Sequence, residues 1–154
     1  MKAGIILAVL FLFSFCCLPV AASAESRYSY ITFHSVDISL EESRAVVTVD
    51  YSVDSGVQIL VLFLGNQDLK SKVDRVMNFD NAHVRTADLN RAVLVVDSAS
   101  FDYGDGSYWF PQHEFLVTIP DITLRTPQMT RKYSMEAVIE EGIGYFARPD
   151  QQRR

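Results

Sequence analysis

Both cysteines of the chain, Cys16 and Cys17, fall inside its N-terminal apolar run, and none follows. Whatever folds after that run is held by packing and hydrogen bonds, without a disulfide or a thiolate metal site. Residues 25–154 suffice for one domain that buries roughly two thirds of its unfolded surface, so a covalent framework is unnecessary. A cysteine nucleophile is removed from the candidate chemistry by the same absence.

The apolar run has the order of an export signal. Met1-Lys2 makes a short positive start, Ile5 to Leu18 an apolar stretch, Pro19 a helix breaker and Ala22-Ser23-Ala24 a small-residue cleavage site. The expected mature chain begins near Glu25 and is secreted or held at the extracytoplasmic cell surface. The alternative is an uncleaved membrane anchor over residues 3–24, nearly charge-free and long enough to cross a bilayer. Cleavage is preferred because the residues around Pro19 suit a signal's polar end better than a membrane helix. Phe15 stands where a small residue would be needed to make Cys16 or Cys17 a lipidation site. Residues 148–154 read as a flexible tail.

The chain carries a net charge of −5, and Lys2 is the only charge before Glu25, so the mature part is one unit more acidic. An acidic domain without a Lys/Arg cluster is a poor partner for nucleic acid.

Hydrophobic period makes residues 25–147 a single, mainly β domain. Ala45 to Val53 alternates strictly, as a half-buried antiparallel strand does. Before it, Ile31 and Phe33 lie on one phase and Val36, Ile38 and Leu40 on the other, which predicts a β-bulge near His34-Ser35. Val57 to Leu64 is apolar at almost every position and is expected as a strand covered on both faces. Leu69, Val73, Val76 and Met77 recur at helical spacing, which predicts a helix over residues 67–78. Strands are expected over 83–88, over 91–97 with both faces apolar, on each side of Pro120, and over 132–140 with Tyr133, Met135, Ala137 and Ile139 inward. The sum is an immunoglobulin-like β-sandwich of about seven antiparallel strands with one helix packed on a sheet.

Phe101 to Phe115 concentrates aromatic residues, including the single tryptophan, around Gly104-Asp105-Gly106. Displayed aromatic faces could stack on sugar rings and Asp105 could accept hydroxyl hydrogen bonds. The ligand-binding candidates are therefore Tyr103, Asp105, Tyr108, Trp109 and His113. The competing reading buries Trp109 and Phe110 as core plugs, and is preferred because aromatic side chains more often hide their area than display it. Exposure of Trp109 would reverse that preference.

Asp102 and Asp105 could hold calcium, but Tyr103 and Ser107 occupy positions where a calcium loop needs oxygen ligands of another kind. His34, His83 and His113 have no metal-motif spacing, so no metal and no cofactor is expected. A hydrolytic grouping of Ser107, His113 and Asp105 is conceivable, although no nucleophile elbow surrounds Ser107. Gly142-Ile143-Gly144 permits a close-packed backbone and lacks the context of a phosphate loop.

The run from Tyr103 to Pro111, together with Gly142 to Phe146, resembles segments of uncharacterised exported domains of methanogenic archaea. The resemblance spans most of the mature chain and implies export, with no activity to carry over. The expected protein is thus an exported, non-enzymatic binding or structural domain of the cell envelope. Its partner would be a glycan or an envelope protein, or a second copy meeting the apolar strands Val57 to Leu64 and Arg91 to Asp97.

Overall fold

The computed structural model describes residues 30–148. The expected signal or anchor over residues 1–24 and most of the 148–154 tail lie outside that range. Along the chain run β1 (Ile31–Glu41), β2 (Arg44–Val53), α1 (Ser55–Leu64), α2 (Gln67–Met77), β3 (Ala82–Ala87), β4 (Arg91–Val96), β5 (Phe101–Asp102), β6 (Ser107–Phe110), β7 (His113–Arg125), β8 (Thr130–Ile139) and β9 (Ile143–Phe146). Six strands form one sheet in the order β3-β4-β2-β1-β7-β8, and three form a second in the order β5-β6-β9. The protein is mainly β, as expected. The expected seven antiparallel strands and single helix become nine strands and two helices among the described residues, and β1 pairs parallel with β7.

Period-2 alternation places Val36, Ile38 and Leu40 of β1, Ala45, Val47 and Val49 of β2, and Ala92, Leu94 and Val96 of β4 in one core. The β1 bulge lies between Phe33 and Ser35 and keeps Phe33 buried across the phase change. Helix α2 lays Leu69, Val73, Val76 and Met77 against β3, β4 and β7. It ends at Asn78, which adopts φ 55° and donates its N–H to the Asp74 carbonyl at 3.1 Å. On the other face of the large sheet, Asp50 pairs with Arg91 and Asp37 with Arg125, beside the half-buried Val46, Val93 and Val95.

Val57 to Leu64 is not a strand. It belongs to α1, which starts where Asp54 accepts the Gly56 N–H at 2.9 Å and stops where Gly65 turns at φ 88°. An unbroken apolar run has no period with which to tell strand from helix, and β2 already pairs on both sides, with β1 and β4. The cap decides. Strand β4 buries one face and only half-buries Val93 and Val95 on the other.

Strand β7 runs through Pro120 instead of breaking there. The parallel ladder with β1 begins only at Asp121, one residue past Pro120, and the β8 register shift between Glu114 and Ile119 ends just before it. Met135 on β8 takes φ 58° and is 68% exposed, which reverses the expected inward alternation. Ile139 is buried on that strand, Tyr133 packs partly against the core, and Ala137 is half-buried.

Candidate functional site

The candidate residues gather on and around the small sheet. Strand β6 is its centre, and alternation sends Tyr108 and Phe110 inward and Trp109 outward. Tyr108 stacks on Tyr145 with ring centroids 5.6 Å apart, and the Tyr145 hydroxyl donates to the Glu42 carbonyl at 2.6 Å and lies 2.7 Å from Ser100 Oγ. These contacts fix the small sheet to the turn between β1 and β2.

Trp109 is 40% exposed. Across the ladder it faces Gly144, and its indole also covers Gly142. A Cβ placed on Gly142 would lie 2.6 Å from Trp109 Cε2 and 2.9 Å from Nε1, and closer still to Cζ2. The same atom on Gly144 would stand 3.5 Å from Cε3. The two glycines thus form a bare strip on which the ring rests, with room at Gly142 only because no side chain is there. Trp109 is not the core plug expected of it; Phe110 is.

Register carries the surface further. Phe101 is the ladder partner of Trp109, and Phe146 that of Ser107, so both stand on the outer face with Trp109. Phe101, Phe146 and Tyr103 in the adjoining turn are exposed. Gln128 closes the free edge of β9, donating from Nε2 to the Phe146 carbonyl at 2.8 Å and accepting the Phe146 N–H at 3.1 Å. A three-stranded sheet therefore presents Phe101, Trp109 and Phe146 on one open side.

The acidic residues beside this face shape the turn. Asp102 accepts the Gly104 N–H at 2.8 Å, and Asp105 accepts the Ser107 N–H at 3.0 Å and the Ser107 hydroxyl. Gly104 and Gly106 supply the positive φ values, 84° and 80°, that the turn requires. The Ser107 hydroxyl, and then its backbone N–H, hold the Asp105 carboxyl below the usual carboxylate range. Among the described residues no group of three His, Cys, Asp or Glu side chains is placed to hold a metal ion.

Two of the candidates, Tyr108 and His113, turn away from this face. His113 stacks on Phe79 at 3.8 Å between centroids, meets the Phe115 edge at 4.7 Å and donates from Nε2 to the Met77 carbonyl at 2.7 Å. Burial pushes its pKa down, against the smaller opposing effects of the Met77 carbonyl and Asp80. It borders a cleft of about 300 Å³ that also touches Asn78, Asp80, Ser98, Phe101 and Phe110. The hydrolytic grouping is not assembled, since Ser107 bonds to Asp105 while His113 bonds to a backbone carbonyl.

Phe101 and Phe146 were not singled out by the sequence. Their signal was faint, because each lies on a strand too short to show a period. Comparison with known protein families, curated proteins and solved structures finds no match to this chain.

Proposed function

We propose that this protein is an exported, non-enzymatic binding domain of the cell envelope, and that the outer face of the small sheet is its contact surface, taking a carbohydrate chain. Export rests on the order of residues 1–24. The binding surface rests on one observation above the rest, the indole of Trp109 lying on a glycine strip with part of its ring open to water. Sugar rings offer flat C–H faces that pack on such a surface, and Asp105 stands charged at its border to accept hydroxyl hydrogen bonds. Tyr103, Phe101 and Phe146 extend the same apolar side. As to architecture, the two sheets contribute to one core, which favours a sandwich in the broad sense. The parallel pairing of β1 with β7 and the six-strand order argue for a strand arrangement other than that of immunoglobulin domains.

Trp109 is the only tryptophan, so intrinsic fluorescence reports from this surface alone. Titration with a panel of soluble polysaccharides is expected to shift and quench its emission for at least one class. Phe101→Ala should weaken that response without unfolding the protein, and Trp109→Ala should abolish binding in a pull-down on the insoluble polymer. If no polysaccharide perturbs the emission, or if Trp109→Ala still binds, the surface does something else.

A further inference from the structure

Helix α1 carries the two most exposed large apolar side chains among the described residues. Phe63 is 85% and Leu62 72% exposed, and Ile59 and Leu60 are more than half exposed. At 100° per residue these four positions span about 160° of the helix surface, while Val57 and Val61 turn the opposite side onto the core. No charged residue occurs from Ser55 to Gln67. The four side chains together offer on the order of 500 Å² of apolar area, a size which on monomeric proteins commonly marks an interaction site. A helix apolar all round belongs inside a core or in lipid.

The place of Tyr30 says which. Its carbonyl accepts the N–H of Asp54, the cap of α1, at 2.8 Å. The Tyr30 hydroxyl donates to Asp68 Oδ2, just beyond the other end of α1, at 2.5 Å, with the Lys72 ammonium 3.9 Å over its ring. The chain preceding Tyr30 thus enters directly beside α1. Six residue steps separate Ala24 from Tyr30 and can span at most about 22 Å, so the apolar segment 3–24 ends within that distance of Tyr30. Two charge-free apolar elements are therefore tied to one end of the domain.

We infer that α1 is a membrane-docking element, whose exposed arc enters the acyl layer of the bilayer that holds residues 3–24 where they remain as the uncleaved anchor. Its ten residues rise about 15 Å, half the hydrocarbon thickness, so it lies within one leaflet. Among the described residues no helix is long and apolar enough to cross a membrane. Asp54 and Asp68 flank the exposed arc only at its two ends, and the length between them is uncharged apolar area of the kind that the acyl boundary takes up. The large sheet would stand away from the membrane, because β1 runs from Ile31 beside α1 to its far end, where Ser39 pairs with Arg125.

The test uses the full chain with Cys16→Ser and Cys17→Ser, reconstituted with neutral phosphatidylcholine vesicles, and a single polarity-sensitive dye on Leu62→Cys, Phe63→Cys or Met129→Cys. Met129 is exposed and lies in the β7–β8 turn at the far end of β1. Nitroxide-bearing lipid is expected to quench the dye at 62 and 63 at least about threefold more than at 129, with a blue shift at the first two. Equal quenching at all three sites, or none at 62 and 63 in vesicle-bound protein, overturns the inference. So does a disulfide joining two chains of the unlabelled Leu62→Cys variant in vesicle-free solution, together with a dye already shielded there, since a second copy would then cover α1. Tryptophan emission identical to that of the parent chain verifies that each labelled protein is folded. The outcome is independent of the polysaccharide titration, which reads Trp109 and not α1.

Discussion

The fit between Trp109 and the glycine strip makes Gly142→Ala a severe change for a single methyl group. Gly142 does not need a left-handed backbone, so the substitution acts through space alone. With Cβ 2.6 Å from Cε2, the indole must lift off β9. A tryptophan side chain covers up to about 250 Å² and Trp109 hides somewhat more than half of it, roughly 150 Å². Losing about half of that contact removes about 2 kcal/mol at 25 cal/mol per Å², in line with the 1–3 kcal/mol of an overpacked site. Alanine also restricts the unfolded chain, which returns about 0.4–1 kcal/mol. The net loss is about 1–2 kcal/mol, or about 4–8 °C in Tm for a domain of this size. Thermal unfolding and fluorescence are read together: emission should move toward that of indole in water, with greater quenching by iodide. Gly144→Ala, whose methyl would sit at ordinary contact distance, should leave the emission in place. In a Trp109→Ala background, Gly142→Ala should become neutral or slightly stabilising, a coupling of about 1–3 kcal/mol. If Gly142→Ala changes neither Tm nor emission, or is equally harmful without the indole, the packing argument fails.

Two further outcomes follow from buried polar groups. The His113 pKa is depressed in the folded protein, so below the unfolded value of about 6.5 the unfolded chain binds more protons and stability falls as pH drops. Urea unfolding between pH 7 and pH 5 should show this loss, at no more than about 1.4 kcal/mol per pH unit, and His113→Gln should flatten it; an unchanged slope in the variant would assign the effect elsewhere. Tyr145→Phe keeps the ring stacked on Tyr108 but leaves the Glu42 carbonyl and the buried Ser100 hydroxyl without their partner. The urea midpoint should fall by an amount equivalent to about 1–3 kcal/mol at constant m, and an unshifted midpoint would mean that water replaces the hydroxyl.

Elements whose period shows in their own residues were legible. The alternation of β2, the bulge at Phe33/Ser35 and the α2 stripe of Leu69, Val73, Val76 and Met77 each follow from local spacing, because a half-buried element must repeat at its own period. A cysteine-free domain held by packing, the acidic balance and the order of residues 1–24 are likewise properties of the chain. Local spacing does not reach what depends on partners. Whether Val57 to Leu64 becomes strand or helix turns on the Asp54 cap and on β2 having both edges taken. Met135 points outward because its own backbone turns to φ 58° within β8. The aromatic segment divides into core and surface because β6 lies between β5 and β9, burying Tyr108 and Phe110 while Trp109 finds the glycines of a strand more than thirty residues away. Sequence by itself determined which residues are apolar, and with what period; tertiary structure alone decided which of them water still reaches, because burial is a property of what packs opposite and not of the residue that is buried.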